Sequence, residues 1–278
     1  MTAPKIPNLF KVPELKEKIL FTVLCLLVYR IGAHIATPGV NLQALADYAN
    51  QSRGTLFGLY DLFSGGALGR ASVFALGIMP YISASIVFQL AGPVFPIIEK
   101  MQRDEEGRKT LTQWTRYLTV VLCLFQAYGY ALFVETQIPG AVAATGFGFR
   151  LTTVLTLTTG GVFVMWLAEQ ITERGLGNGQ SLMIFFSIVE RIWPETIRTF
   201  EALSAGSLRI GVLAFILIMM VFVVAGTVAV TVATRRIPIQ IPRKVMGRGR
   251  IREGQKTFIP IRLITAGVMP IIFAQTII

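Results

Sequence analysis

Cysteine and histidine are nearly missing from this chain of 278 residues, which has two of the first, Cys25 and Cys123, and one of the second, His34. Both cysteines lie inside apolar runs, where a free thiol behaves as a small hydrophobe, so neither a disulfide framework nor a metal site is expected. His34 has no cysteine or second histidine near it in sequence, which leaves it a packing role. Charge is scarce too: 15% of residues are charged, against about a quarter in a soluble domain. With 53% hydrophobic residues and a mean hydropathy of +0.63, an ordinary soluble domain is excluded. The expected class is a polytopic membrane protein.

Acidic residues are the scarcer sign, 15 against 26 basic, for a net charge of +11. Nucleic-acid binding would need a basic face on a soluble domain, but here the basic residues sit between apolar runs, as membrane topology requires. No pair of carboxylates lies in the middle of an apolar run, Glu169 and Glu190 fall near helix ends within reach of water, and neither G-x-S-x-G nor H-E-x-x-H occurs, so an enzyme is not expected.

What the chain does have is a long apolar stretch at 73–96, VFALGIMPYISASIVFQLAGPVFP, which is free of charge. It reads as a helix long enough to cross the roughly 30 Å of a bilayer core. Gly77, Pro80, Ser83, Ala84 and Ser85 are small or kinking, so the segment should face protein or a cavity rather than lipid alone. The preceding run at 61–71, DLFSGGALGRA, is too short and glycine-rich to span and too apolar for a solvated loop. It reads either as a re-entrant piece or as a partly buried external loop.

DLFSGGALGRASVFALGIMPYISASI resembles, without a gap, the signature of the SecY family, the central subunit of the bacterial protein-translocation channel. Two later segments are similar as well: YRIGAHIATPGV resembles the end of that family's first helix, and EQITERGLGNGQS its hairpin between helices four and five, with Gln180 in place of the usual apolar residue. Gly175, Gly177 and Gly179 in that hairpin are not a phosphate loop, since no strand precedes them and the lysine is absent.

Along the chain, Lys5, Lys11, Lys16 and Lys18 precede a first helix at 19–36, which reads as retained because no A-x-A cleavage site follows. Lys100, Arg103, Arg108, Lys109 and Arg116 place the segment after helix two in the cytoplasm, since acidic residues hardly count in that rule. Helix three is expected at about 111–135 with Arg116 in its first turns, helix four at 150–172, helix five at 181–191 continuing to about 193, an external loop next, helix six at 210–233, and a seventh from about 263. The loop between helices six and seven carries nine basic residues, Arg235, Arg236, Arg243, Lys244, Arg248, Arg250, Arg252, Lys256 and Arg262, against one acid, Glu253.

The resemblance implies an all-α, SecY-like helix bundle of ten membrane helices in two pseudo-symmetric halves. Of these the first half would occupy 1–193, including the plug, and the start of the second 194–278, including the basic loop at 234–262. It implies a pore-forming subunit that passes unfolded preproteins across the inner (plasma) membrane and releases membrane helices sideways into lipid, with the amino terminus cytoplasmic. The alternative from a different class is a secondary transporter of a small solute built on an inverted repeat.

Residue by residue, Ile78, Ile82, Ile184 and Ile272 match the family's pore ring, and an apolar constriction suits a channel that must pass any side chain while blocking ions. Asp61, Leu62, Phe63, Ser64, Gly65, Gly66, Ala67, Leu68, Gly69, Arg70 and Ala71 match the plug, which is expected to pack weakly and move. Ser83, Ser85 and Gln126 are candidates for a polar seam at the lateral gate, at about 0.6 kcal/mol per hydrogen bond; ordinary interhelical packing is the other reading. Arg235, Arg236, Arg243, Lys244, Arg248 and Arg250 are expected to dock the ribosome or the SecA ATPase. SecE-type and SecG-type subunits and signal sequences complete the implied partners. No cofactor is implied.

Overall fold

The structure is a computed structural model that describes residues 13–52, 54–142, 144–206, 209–239, 245–246, 250–251 and 257–262. It is helical, with α1 Pro13–Gly32, α2 Leu42–Gln51, α3 Leu56–Phe63, α4 Met79–Val94, α5 Pro96–Arg103, α6 Glu105–Gln137, α7 Phe147–Arg174, α8 Gly179–Glu190, α9 Ile192–Ser204 and α10 Ile210–Val232. One compact unit extends through Thr196 and a second begins at Ile197.

The first unit is built on α6 and α7. An ion pair of 2.8 Å joins Arg116 near the start of α6 to Glu169 near the end of α7, and one of 2.7 Å joins Glu135 to Arg150 at the opposite ends, so the helices run antiparallel. They approach closely because α7 carries Gly160 and Gly161. A Cβ on Gly161 would stand 2.9 Å from the Cys123 sulfur on α6, and one on Gly160 would run into the backbone carbonyl of Val73. Small residues at contacts are how membrane helices bring backbones together without a hydrophobic drive between them.

Helix two departs from the expected span. Residues 73–78 form buried turns, with Gly77 at φ +56°, and the helix begins only at Met79. Irregular backbone at membrane depth survives only where protein surrounds it, and here Gly160 leaves the room. At the other end, Pro93 and Pro96 lack the N–H donors that would carry the helix on. The chain turns by 112° between α4 and α5, and Gln102 donates 3.0 Å to the Phe88 carbonyl across the bend. Among the described residues α6, α7 and α10 each have the length and apolarity to cross a membrane, and α4 with α5 makes a bent fourth candidate.

The α7–α8 connection is the expected glycine hairpin. Gly177 takes φ +64°, Asn178 caps α8 by accepting from the Gln180 and Ser181 amides, and a Cβ on Gly179 would run into the Ala168 carbonyl. The connection after α8, read from sequence as an external loop, is helical as α9.

In the second unit, α10 is apolar on every side and has no buried residue. A helix of that kind belongs in lipid or in a larger bundle. The basic loop is where the all-α reading needs an addition. Thr234–Ile239 (β1) pairs antiparallel with Thr257–Arg262 (β4), and Val245–Met246 (β2) with Arg250–Ile251 (β3). Pro238 and Pro260 fit because each strand of a two-stranded ladder is an edge, and the Arg236 guanidinium lies 4.8 Å over the Phe258 ring.

Candidate functional site

The glycine-rich run after α3 folds back on itself through its own polar groups. Gly65 at φ +67° and Gly66 at φ +78° reverse the chain, a conformation glycine adopts without penalty. Asp61 then organises the turn. Its backbone carbonyl accepts from the Gly66 amide at 2.8 Å and the Ser64 hydroxyl at 3.0 Å, and its Oδ1 accepts from the Gly69 amide at 2.8 Å. Arg70 closes the ring, with Nε donating to the Gly66 carbonyl and Nη2 to the Gly65 carbonyl, both at 2.9 Å.

Neighbouring elements grip this turn. Arg191, at the end of α8, pairs with Asp61 Oδ2 at 2.9 Å, and the Tyr130 hydroxyl of α6 donates 2.9 Å to the Leu68 carbonyl. After the turn, Thr37 donates its amide to the Ala71 carbonyl at 2.7 Å and Val73 its amide to Ile35 at 2.8 Å. Ala71 sits at φ +43°, unusual for a residue with a Cβ, and these bonds hold it there. Ser64, Ala67, Leu68 and Ala71 are buried. Much of the 61–71 run is therefore buried, and its turn is held by hydrogen bonds. Burial pulls the Arg70 pKa below the ordinary guanidinium value and the Asp61 carboxylate opposes that shift; burial likewise pushes the Tyr60 phenol up.

Ile78 and Ile82 are both buried, with the Ile78 carbonyl accepting from the Ile82 amide at 3.2 Å. Ile184, partly buried on α8, packs against the same cluster, and so do Tyr60 and Phe63 from α3. Three of the four ring candidates thus converge on one apolar cluster beside the plug. Ile272 lies outside the described residues.

The candidate seam residues have partners on their own helices and on α3. Ser83 Oγ donates 2.9 Å to the Met79 carbonyl of its own helix, Ser85 Oγ accepts from Gln89 Nε2 at 3.2 Å one turn on, and Gln126 Oε1 lies 3.5 Å from the Tyr60 hydroxyl. Gln126 therefore faces α3. The two helix-end carboxylates are not water-facing groups either: Glu169 accepts from Arg116 and, at 3.4 Å, from Tyr81, while Glu190 pairs with Arg30. Arg235 and Arg236 are exposed on β1, and Arg250 begins β3. Arg243, Lys244 and Arg248 lie outside the described residues.

Sequence reasoning missed the hold on this turn by Tyr130, Arg191 and His34, whose Nε2 lies 2.9 Å from Arg70 Nη1, each distant from it along the chain. It also missed Gly160 and Gly161, although a pair of glycines inside an apolar run is a readable signal of close backbone approach.

The SecY family model matches residues 72–278. The chain is 42% identical over 275 residues to the protein translocase subunit SecY of Aquifex aeolicus, covering 97% of this chain and 64% of that protein. It is 43% identical over 268 residues to SecY of Escherichia coli K12, covering 95% of this chain and 60% of that one. It therefore spans slightly under two thirds of these relatives. Among solved structures it superposes on a protein-conducting channel with a TM-score of 0.64 at 22% identity, covering 99% of this chain and 61% of the other. Sec61 in the canine ribosome-channel complex gives 0.61 at 22% identity and the same coverage. At that identity the likeness establishes the fold. With a helical membrane fold of this kind, a broken second span and the family model matched over most of its length, the chain belongs to the SecY family.

Proposed function

We propose that this chain forms the plug and much of the pore wall of a protein-translocation channel, passing unfolded preproteins across the inner (plasma) membrane and releasing membrane helices sideways into lipid. The observation that carries the reading is the seat of the glycine turn: it is buried between α6 and α8 while Phe63 and Tyr60 pack on the cluster that holds Ile78, Ile82 and Ile184. Such a plug shuts an apolar neck from one side and, held by a few polar bonds, can be displaced as a unit. The pore ring is Ile78, Ile82, Ile184 and Ile272. Ser83, Ser85 and Gln126 line the lateral gate. The first half of the channel ends near residue 193, and the amino terminus is cytoplasmic. The solute-transporter alternative has no support among the relatives. A SecE-type and a SecG-type subunit complete the channel, and energy comes from the ribosome or the SecA ATPase.

The test uses a disulfide across the seat. A Cβ on Gly65 would lie 3.4 Å from the Ser187 Cβ, close to the roughly 3.5–4.5 Å that a disulfide bridges. Gly65→Cys with Ser187→Cys, in the assembled channel, is expected to stop preprotein transport when oxidised and to regain it under reductant, while each single variant transports under both conditions. Full transport by the oxidised pair would overturn the reading.

The basic loop is the docking element, with Arg235, Arg236, Arg243, Lys244, Arg248 and Arg250 facing ribosomal phosphates or acidic protein surface. Reversing Arg243 and Arg248 to glutamate is expected to leave membrane insertion intact and to weaken ribosome or SecA binding about tenfold at low salt, with the deficit shrinking as salt rises. Binding measured across a salt series checks this, and an unchanged affinity would confine the loop to a topological role.

A further inference from the structure

We infer that His34 is a proton-sensitive keeper of the plug. Its Nδ1 lies 2.9 Å from the Arg30 carbonyl, which can only accept, so Nδ1 carries the hydrogen. In the neutral ring Nε2 is then an acceptor, and it lies 2.9 Å from Arg70 Nη1, which can only donate. His34 therefore uses the one guanidinium nitrogen of Arg70 that the Gly65 and Gly66 carbonyls do not take. The same ring bonds to the end of α1 and to the residue that closes the plug turn. Imidazole changes charge between about pH 5 and 8. A proton on Nε2 replaces the acceptor with a second donor and removes this bond outright.

The surrounding charges add to that effect. Arg30 lies on the same element and is paired with Glu190 of α8. Arg70 faces the ring from the plug, with Asp61 beside it, and Asp61 is paired with Arg191 at the end of α8. Three arginines thus face two carboxylates, already committed to Arg30 and Arg191, so a charged His34 brings a fourth cation with no carboxylate left to answer it. The ring is exposed, so protons on the plug side of the membrane reach it directly. The consequence is a plug that loosens as that side acidifies.

This inference rests on the channel reading but is testable apart from it. Hydrogen exchange of the backbone amides at 64–73, corrected for intrinsic rates, is compared in the assembled channel at pH 7.5 and 5.5, for wild type and for His34→Gln, whose side-chain oxygen can still accept from Arg70 but does not titrate. Wild-type protection is expected to fall two- to fivefold on acidification, while His34→Gln keeps its protection; His34→Ala should be loose at both values. An equal fall in wild type and His34→Gln, or no fall in wild type, overturns the keeper. Full transport by the oxidised Gly65→Cys, Ser187→Cys pair overturns the channel reading instead, and the two outcomes are independent.

Discussion

Gly160→Ala is expected to destabilise the protein by about 2–3 kcal/mol, the range for forcing atoms into a packed interior. Ordinarily the same change inside a helix stabilises by up to about 1 kcal/mol, because alanine loses less backbone freedom. The sign reverses here because the new Cβ would run into the carbonyl of Val73, a backbone atom that no rotamer change moves aside. That carbonyl belongs to the irregular run leading to Ile78, so the strain passes straight to that residue and its apolar cluster. Gly179→Ala should behave alike against the Ala168 carbonyl. Gly129→Ala is the control: nothing lies within 4 Å of its added Cβ, and no loss is expected. Melting temperatures in one detergent should fall by several degrees for the first two variants and hold for the third. A Gly160→Ala protein as stable as wild type would show that α7 and the 73–78 run do not pack as described.

Ile78→Asn is expected to raise ion conductance across planar bilayers by about tenfold or more, which corresponds to a barrier lower by only about 1.4 kcal/mol. An apolar neck excludes ions because none can stay hydrated in it, and an amide supplies partners that hold water there. Ile78 is only 5% exposed and Ile82 only 8%, so these side chains also pack, and the variant should lose stability as well. Ile78→Ala separates the two effects, since it removes packing without attracting water. A leak in the asparagine variant much larger than in the alanine variant supports a hydrophobic seal, whereas equal leaks would mean that packing alone closes the pore. The Ile82 pair of variants should follow the same order.

The spans were legible because hydropathy is local. α7 at Phe147–Arg174 and α10 at Ile210–Val232 lie close to where apolar composition places them, and α6 extends past its expected start because Glu105 and Glu106 suit a first helical turn. Helix two misled because composition counts apolar residues without seeing that Gly77, Pro93 and Pro96 interrupt the hydrogen-bond ladder.

That residues 61–71 are neither a span nor a solvated loop was visible in the sequence, from their glycines and apolar residues. Which groups hold them was not. Arg191 is 130 positions from Asp61, and Ser187 is 158 from Tyr29, whose hydroxyl lies 3.1 Å away. Nothing in the pattern of one helix says which side chain of another will face it. The polar groups Ser83, Ser85 and Gln126 make the same point: their presence in apolar helices demanded partners, but a serine in a helix can satisfy itself on the carbonyl four residues back, and Ser83 does.

Sequence by itself determined that this chain is built for a membrane, where its long apolar helices α6, α7 and α10 lie and where glycines let the chain turn, because each follows from residue composition over a short window. Only the tertiary structure decided that the turn is clasped by Arg191, Tyr130 and His34, that Glu169 and Glu190 pair with arginines, and that Gly160 makes room for the irregular backbone at Val73. Those outcomes depend on which surfaces meet when the helices pack, and contacts between residues far apart in the chain leave no periodic trace in it.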